Sequence, residues 1–410
     1  MPIYLTAMKP TISVTEGFLP AAAALGLPLV VLTDQVEAHA EAYRDMPTPP
    51  LAIEAVNVND PAETASRVTA LSARYGQPQA LFSNSDHLQF SASLAAELLS
   101  LPAKDWRSAL RCKNKALTRQ TLSEAGLDSV FSVEIPADTE PQDLDAMLAE
   151  VPFPAVIKPR EGVATEDVLF VADRRELRSA MTRIRQRRGA VALVVEEYLS
   201  GKFYTFDTLG DGEELLHIGS WHTELSEPPF FDELRDTWYP ELPPAVVSSL
   251  KAQLRALGVN LGACHTEFVV DGGRARIIEV NYRLIGGSMD LFTSELLGID
   301  LFAEVISLHC GQSLSEASRS AGKPPRQARV EYVFAEGAGR LTELPQASDA
   351  VLESGVRLIH KPIQEAGSLL HGGHTKRDYL SAVQAIGPDL VSVDREISAF
   401  LAANRWLVEA

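Results

Sequence analysis

Apolar and polar positions in the first hundred residues follow two different periods. Short apolar runs, typical of buried strands, occur at 3–5, 29–32 and 80–82. Helical periodicity predicts helices at 21–26, 61–75 and 87–100. Strands that alternate with helices are typical of a parallel sheet with helices on its faces, so this part of the chain predicts a small α/β unit.

The stretch 265–281 has a different pattern, which predicts a β-hairpin. β-Branched residues are frequent at 265–270 and at 275–281, and the Asp-Gly-Gly sequence at 271–273 between them is a strong turn signal. Further short strands are predicted at 329–334 and 356–360, and a final helix is predicted from Asp394. A Pro-rich segment at 222–243 is too long for a plain turn, and its aromatic residues predict a packed substrate cover.

The acidic residues of the hairpin predict a metal site. Side chains two positions apart on a strand share a face, so Glu279 and Asn281 project together. A three-residue loop at 272–274 would place Glu267 opposite Glu279. Two facing carboxylates repel each other unless a cation lies between them, and hard oxygen ligands of this kind suit Mg²⁺. A solvated polar face of an edge hairpin is the alternative interpretation of the same residues.

Two lysines, Lys115 and Lys158, are considered as anion-binding residues. Lys158 ends an apolar run, where a lysine is costly to bury unless an anion pairs with it. The segment 112–126 predicts an amphipathic helix that ends at Gly126 and carries Lys115. Lysines on helix surfaces are usually solvated, so periodicity alone assigns Lys115 no role. The two histidines at 371 and 374 are interpreted as a solvated turn, because a zinc site would need further ligands nearby.

Composition narrows the class of protein. At 410 residues the chain has room for two to four domains, and 46% hydrophobic with 22% charged residues is ordinary for a globular enzyme. A net charge of −18 speaks against nucleic acid as a partner. The arginine-rich stretch 183–188 is interpreted as the solvated last turn of a helix, where cations are favourable.

Three cysteines without C-x-x-C spacing predict free thiols in a reducing cytoplasm. We therefore expect a cytoplasmic protein. The sequence has no run that approaches the roughly 20 apolar residues a membrane span needs, so no membrane partner is expected.

The motifs HTEF, IIEVNYR and IGG within 265–287 resemble the core of the ATP-grasp ligases, and KNKALTRQTLSEAGL at 113–127 resembles another segment of that family. The resemblance covers roughly residues 3–375. It implies an α/β ATP-grasp fold with an N-terminal parallel α/β (pre-ATP-grasp) domain and a small C-terminal α+β domain. The implied domains are the N-terminal domain at 1–107, the small lobe at 108–195, the large lobe with the metal site at 196–320, and the C-terminal domain at 321–410.

The resemblance also implies site residues, which the family uses to bind nucleotide and metal. ATP would be bound by Lys115, Lys158 and Thr165 at its phosphates, and by Glu196 and the main-chain groups of Glu197 and Leu199 at its adenine. Mg²⁺, or Mn²⁺, would be bound by Glu267, Glu279 and Asn281, while Arg283 and Lys158 would stabilise the transferring phosphoryl group. The amides of Gly286 and Gly287, at the start of a helix predicted at 287–310, would bind a carboxylate.

Two residues and one loop depart from the family pattern, and two further residues are candidates outside it. Tyr282 stands where many members have proline, and Phe203 stands where many have the glutamate that binds ribose. The phosphate loop at 162–167 keeps one glycine and carries acidic residues near the expected phosphates. Ser85 and Asp86 follow a strand of the N-terminal sheet and are candidates for the substrate side.

The implied activity is an ATP-dependent carboxylate-amine ligase that forms an amide or peptide bond through an acyl-phosphate and releases ADP and phosphate. Its partners would be a small-molecule carboxylate and amine, in peptide or siderophore-type specialised metabolism, and a homodimer is compatible with it. Two alternatives are an ATP-grasp carboxylase that activates bicarbonate and a catalytically silent nucleotide-binding regulatory protein.

Overall fold

The computed structural model describes residues 1–139, 141–163, 165–320, 326–335, 337–372 and 378–409, with the backbone alone for Pro141 and Gln142. Ala164 of the predicted phosphate loop and His374 of the predicted turn lie outside the described residues. No helix within the described ranges is long and apolar enough to cross a membrane.

The N-terminal segment folds as the predicted α/β unit. Its elements are β1 (Ile3–Thr6), a π-helical segment (Ser13–Phe18) that continues as α1 (Leu19–Ala24), β2 (Leu29–Thr33), α2 (Val36–Tyr43), β3 (Ala52–Ala55), α3 (Pro61–Tyr75), β4 (Ala80–Ser83), a 3₁₀ turn (Asp86–Leu88) and α4 (Gln89–Leu98). The strands pair in parallel in the order β3-β2-β1-β4, which confirms the predicted sheet. The sequence pattern missed α2 and β3, because β3 is a partly exposed edge strand without an apolar run.

The helix predicted at 112–126 is in fact two helices, α5 (Trp106–Lys113) and α6 (Lys115–Glu124). Asn114 separates them with an extended backbone, φ −91° and ψ 105°, and its side-chain oxygen accepts a hydrogen bond from the Leu117 amide. Asparagine is among the preferred N-cap residues because it satisfies an amide that the helix leaves unpaired. The break therefore places Lys115 at the first position of α6.

The small lobe is a four-stranded antiparallel sheet with helices packed on it. Its elements are β5 (Ser132–Ile135), α7 (Pro141–Met147), β6 (Ala155–Pro159), β7 (Leu169–Val171), α8 (Arg174–Arg188) and β8 (Leu193–Glu197), and the strand order is β5-β8-β6-β7. On β8, Leu193 and Val195 face the core of this lobe, so the alternation of a strand turns Glu196 to the opposite face.

The large lobe is built on a long, mostly antiparallel sheet. Its elements are β9 (Lys202–Asp211), β10 (Leu215–Gly219), β11 (Trp221–Leu225), β12 (Glu233–Trp238), α9 (Pro244–Leu257), β13 (Leu261–Asp271), β14 (Arg274–Asn281), α10 (Met289–Leu297), α11 (Leu301–His309) and α12 (Glu316–Ser320). Helices α5 and α6 pack on this sheet, because Cys112 and Leu122 share a core with Leu250 of α9 and Ile277 of β14.

The prediction of one long loop at 222–243 is wrong. Residues 222–225 and 233–238 of this segment belong to the paired strands β11 and β12, which are joined by residues 226–232. Trp238 packs edge to face on Trp221 inside the main core. The prolines that favoured a loop lie in the connection and after β12, where they interrupt no strand pairing.

The prediction of a single helix at 287–310 is also wrong, because the segment contains two helices, α10 and α11. Gly298 ends α10 in a left-handed conformation, with φ 69°. Asp300 then caps α11 by accepting hydrogen bonds from the amides of Phe302 and Ala303. The break was not predicted, because the apolar residues on both sides of it follow a helical period.

In the described residues, four of the C-terminal strands continue the sheet of the large lobe, and three others form a separate small sheet. The elements are β15 (Gln327–Phe334), β16 (Gly339–Glu343), β17 (Ser348–Val351), β18 (Arg357–Pro362), β19 (Leu369–Leu370), β20 (Tyr379–Gly387), α13 (Leu390–Ala403) and β21 (Leu407–Glu409). The main path of the sheet in the described residues runs β14-β13-β9-β11-β12-β15-β20-β18-β17, with β10 paired to β9. The final helix begins at Leu390 rather than at Asp394, because Asp389 caps it. The predicted domain limits stay predictions. The limit at residue 320 would separate β12 from β15, which pair in one continuous sheet.

The N-terminal unit packs directly on the large lobe. The ring of Phe18 meets that of Phe302 edge to face, with centroids 5.0 Å apart. Gly17 is needed at this contact, because a Cβ there would lie 2.3 Å from an atom of the Phe302 ring. The two units therefore share one core, and the ends of the N-terminal strands lie beside the cleft described next.

Candidate active site

A single cleft of about 890 Å³ lies where the small lobe, the large lobe, the N-terminal unit and the C-terminal strands meet. All the side chains that the sequence predicted for ATP, metal and catalysis line it. They are Lys115, Lys158, Thr165, Glu196, Glu197, Leu199, Glu267, Glu279, Asn281 and Arg283. These residues come from five separate stretches of sequence, so their meeting in one cleft is a result of the tertiary fold.

The hairpin of β13 and β14 places Glu267 opposite Glu279, as predicted, but the predicted three-residue loop is wrong. The turn has two residues, Gly272 and Gly273, with φ 55° and φ 78°, which a tight hairpin turn of this type requires. The extra residue is a β-bulge at Ile278. Two neighbouring residues of the bulge, Ile278 and Glu279, both line the cleft.

Lys115 is ion-paired with the predicted metal site. Its Nζ lies 2.8 Å from Oε1 of Glu279 and 3.1 Å from the carbonyl oxygen of Gly162. Burial of this lysine favours its neutral form, but the attraction of Glu279, together with that of Asp86 and Glu196, outweighs burial and raises the pKa of Lys115. Lys115 therefore stays charged and connects helix α6 to the hairpin and to the phosphate loop.

Lys158, Glu196 and Arg119 form a buried ion cluster on the face of the small-lobe sheet that meets the cleft. Nζ of Lys158 lies 2.8 Å from Oε2 of Glu196, and Arg119 donates to both oxygens of the same carboxylate, at 2.7 and 3.1 Å. Burial would raise the pKa of Glu196, but the two cations lower it to about 2. Arg119 also donates to the carbonyl oxygen of Ile277, so it ties α6 to the metal hairpin.

Sequence reasoning missed Arg119, although it lies on the same helix as Lys115. One turn separates the two residues on α6, which places both on one face of the helix. That spacing is a signal, but an arginine on an amphipathic helix is usually solvated, and its partner Glu196 is far away in sequence. The predicted contact of Glu196 with adenine stays a prediction.

The end of β8 and the residues that follow it include the other two residues predicted to contact adenine, Glu197 and Leu199. The amide of Glu197 donates to the carbonyl oxygen of Phe131, and its carboxylate accepts from Arg276 at 2.8 Å. What this residue could offer a nucleotide is therefore its carbonyl oxygen. Leu199 and Phe203 both line the cleft beside it.

Arg283 lies at the end of the hairpin and faces the N-terminal unit. Its Nη1 donates to the carbonyl oxygens of Leu284 and Ile285, both at 2.6 Å, and its Nε lies 3.8 Å from Oδ1 of Asp86. Asp86 is also ion-paired with Lys113 at 2.5 Å. Burial would raise the pKa of Asp86, but Arg283 and Lys113 lower it.

The predicted anion site at Gly286 and Gly287 has an unusual backbone. Gly286, Gly287 and Ser288 follow one another in the left-handed region, with φ 78°, 61° and 70°, immediately before α10. All three line the cleft. Binding of a carboxylate by these amides stays a prediction.

A buried pair beside the metal site was not predicted. His265 lies opposite Asp207 of β9, and its Nδ1 is 2.7 Å from Oδ1 of Asp207. Burial would lower the pKa of His265, but the attraction of Asp207 outweighs it and the pKa is raised. Only the pairing of β13 with β9 brings these residues together, so no local pattern could reveal the contact.

The ligand set of the hairpin consists of oxygen atoms only. In the described ranges, no group of three or more His, Cys, Asp or Glu side chains is arranged to hold a metal by itself. Two carboxylates and one amide leave room for oxygen atoms from a substrate, as is usual for Mg²⁺. The chemistry of Glu267, Glu279 and Asn281 thus fits a magnesium ion that is shared with phosphates.

Comparison with known proteins gives one matching family and several relatives. Residues 151–290 match the family model described as ATP-grasp domain, a range that includes every residue predicted for ATP, metal and catalysis except Lys115. The chain is 27% identical over 321 residues to Uncharacterized protein y4rH of Sinorhizobium fredii, covering 75% of this chain and 64% of that protein. It is 23% identical over 248 residues to Dapdiamide A synthase of Enterobacter agglomerans, covering 57% and 58% of the two chains.

Among solved structures, the L-amino acid ligase from Bacillus licheniformis superposes with a TM-score of 0.78 at 18% identity, covering 100% of this chain and 99% of that one. Residues 151–290 thus match the ATP-grasp domain model, and the architecture of the chain is the ATP-grasp fold. It spans a little under two thirds of the length of the curated relatives named above.

Proposed function

We propose that this ATP-grasp chain is an ATP-dependent carboxylate-amine ligase, which joins an acid to an amine through an acyl-phosphate and releases ADP and phosphate. The observation that carries the proposal is the convergence of two buried lysines, one arginine and an oxygen-rich hairpin in one cleft. The names of two similar proteins, Dapdiamide A synthase and L-amino acid ligase, support an amide-forming reaction.

The cleft suits the delivery of a phosphoryl group. Lys115 and Lys158 would hold the phosphates of ATP, and Arg283 would face the group in transfer. Glu267, Glu279 and Asn281 would hold Mg²⁺, or Mn²⁺, which neutralises charge on the phosphates when it is bound. A site of this kind works by positioning and by electrostatic stabilisation, so a nucleophilic side chain is not required.

The reaction has two displacements. A carboxylate oxygen of the acid attacks the γ-phosphorus, the bond to the bridging oxygen of ADP breaks, and an acyl-phosphate forms. The amine nitrogen then attacks the acyl carbon, inorganic phosphate leaves, and the nitrogen loses a proton. Arg283 would stabilise the charge on the departing phosphate, and the enzyme would contribute proximity to the amine step.

Both substrates would be small molecules that bind next to the phosphates. The cleft is also lined by Ser13 and Asn84 of the N-terminal unit and by Tyr332 and Tyr379 of the C-terminal strands. Acid and amine would be recognised there. The predicted homodimer, the cytoplasmic location and a role in peptide or siderophore metabolism remain predictions.

An isotope experiment tests the reaction class. An acid labelled with heavy oxygen should transfer one label to inorganic phosphate, and hydroxylamine in place of the amine should trap a hydroxamate. Release of AMP and pyrophosphate would instead indicate adenylation and would contradict the proposal. ADP release that depends on bicarbonate without an amine would indicate a carboxylase, and tight ATP binding without turnover of any acid and amine would indicate a regulatory protein.

A further inference from the structure

The acidic residues of the phosphate loop at 162–167 have no role in the proposed reaction. Thr165, Glu166 and Asp167 form a turn, hereafter the acidic turn, and the first two line the cleft. Two carboxylates this close to a triphosphate would repel it, since like charges in a cleft shielded from water interact strongly. The structure must either turn these charges away or compensate them.

Two arginines at the end of α8 compensate both charges. Arg187 and Arg188 bind the two carboxylate oxygens of Asp167, one on each side, and Nη2 of Arg188 lies 2.9 Å from Oε2 of Glu166. The side chain of Asp167 is only 2% exposed, whereas that of Arg187 is 63% exposed. The arginines therefore reach from the surface to a buried carboxylate, and they are more than the solvated helix end that the sequence predicted.

The backbone of the acidic turn also needs external support. Thr165 and Asp167 have φ 58° and φ 64°, in the left-handed region that residues with a side chain rarely adopt. Such conformations persist only where the surrounding structure holds them. Gly189 ends α8 directly after the two arginines, with φ 76°, so their place at the end of the helix is fixed.

We propose that Arg187 and Arg188 are positioning residues, which hold the acidic turn beside the ATP phosphates and keep its two carboxylates from repelling them. This inference rests on the proposed ATP site. The resemblance to the ATP-grasp ligases implies a glycine-rich phosphate loop. In this chain, the ion pairs of Arg187 and Arg188 would hold the loop in place of those glycines. Thr165, which lines the cleft, is the residue that the arrangement would present to the nucleotide.

The test compares ATP binding by four full-length variants in the presence of Mg²⁺, measured by calorimetry. They are Arg187→Gln/Arg188→Gln, Asp167→Asn, the triple combination, and Arg183→Gln as the matched control on the exposed face of the same helix. We expect the double variant and Asp167→Asn each to weaken ATP binding about tenfold, and the triple variant to be no weaker than the double, because coupled residues are not additive.

Asp167→Asn separates positioning from simple charge repulsion. If the arginines only screened the phosphates from a carboxylate, removing that carboxylate would tighten ATP binding, and the proposal would be wrong. Amide hydrogen exchange in the acidic turn, without nucleotide, should accelerate in the double variant and not in Arg183→Gln. Faster exchange with unchanged ATP binding, or additive losses in the triple variant, would also overturn the proposal.

The wild-type protein separates this inference from the proposed function. Absence of ATP binding by the wild type would contradict both. ATP binding by the wild type that none of the variants changes would contradict the positioning role alone. Arg187 and Arg188 are not part of the apolar core of the small lobe, and the triple variant leaves no buried Asp167 carboxylate without its partners.

Discussion

Individual side chains of the cleft have more than one partner, and this changes what their replacement does. Glu279 was predicted as a metal ligand that repels Glu267, so its removal could have stabilised the protein without nucleotide. In the structure, however, the buried ammonium group of Lys115 forms an ion pair with Glu279. Replacement of Glu279 therefore removes a metal ligand and also leaves a buried charge without its partner.

We expect Glu279→Gln to abolish turnover and to lower the free energy of unfolding by about 3 kcal/mol, since breaking a buried ion pair strands the remaining charge. Asn281→Ala should abolish turnover with a smaller loss of stability, because no ion pair depends on it. Turnover assays and urea unfolding of both variants measure the two effects. Near wild-type turnover of either variant at ordinary Mg²⁺ would show that the hairpin is not the metal site.

Lys104 illustrates a buried charge outside the cleft that supports the site. Its Nζ donates to Oε1 of Gln89 at 2.7 Å and to the carbonyl oxygen of Tyr282 at 2.5 Å, and it lies 4.3 Å from the centre of the Tyr282 ring. Burial lowers the pKa of Lys104 to about 7. Tyr282 stands between Asn281 and Arg283, so this lysine fixes the backbone that carries both.

The lowered pKa of Lys104 predicts how stability depends on pH. Below about pH 7 the lysine is protonated in both states. Between about pH 7 and pH 10 the folded protein has lost the proton that the unfolded chain still holds, so the free energy of unfolding should rise with pH, by up to about 1.4 kcal/mol per unit. Lys104→Met should remove this slope in urea titrations at about pH 7 and pH 9. The exposed Lys9→Met is the control, and an unchanged slope in Lys104→Met would contradict the assignment.

At the scale of single elements, the break between α5 and α6 decides where Lys115 points. The sequence pattern runs through the break, because Asn114 interrupts no apolar position. Its side chain nevertheless caps α6 and leaves the backbone extended for one residue. Asn114 thus has two effects. It ends α5, and it places Lys115 at the start of α6, where this lysine lines the cleft.

Asn114→Ala should lower the free energy of unfolding by about 1 kcal/mol, the usual cost of losing an N-cap. It should also weaken ATP binding, because Lys115 is the residue directly after the cap. Asn114→Ser, which can accept the same hydrogen bond from the Leu117 amide, should restore most of both properties. Thermal unfolding and ATP titration of the two variants provide the measurement, and equal ATP affinities in Asn114→Ala and wild type would show that the cap does not position Lys115.

At the scale of the whole molecule, one sheet joins the large lobe to the C-terminal strands. Strand β12 pairs with β11 on one side and with β15 on the other. Arg235 of β12 is ion-paired with Glu331 of β15 at 2.6 Å, which strengthens the junction. Residues of both segments also line the same cleft.

This continuity predicts that a chain ending at residue 320 does not fold normally. Such a chain would expose the edge of β12, and unpaired edges associate with other chains. We expect it to aggregate, or to unfold at lower urea concentration without cooperativity, when it is followed by circular dichroism and sedimentation. A monomeric, cooperatively folded product would show that the C-terminal segment is an independent domain, as a boundary at 320 implies.

The sequence by itself determined the elements whose signals are local. Turn residues and β-branched runs predicted the hairpin, and alternating strands and helices predicted the N-terminal sheet. The resemblance to the ATP-grasp ligases predicted that Lys115, Lys158, Glu267, Glu279, Asn281 and Arg283 belong to one site, and all six line the cleft. These signals are readable because a strand or helix buries one face, which imposes a period on its own residues.

The tertiary structure decided what depends on contacts between distant segments. The pairs Arg119 with Glu196, His265 with Asp207, and Asp167 with two arginines join elements far apart in sequence. The bulge at Ile278 likewise follows from packing, because it lets Ile277 face the core while Glu279 faces the cleft. Local periodicity records which face of an element is buried, but it does not record which element covers that face, and only the folded chain supplies the partner.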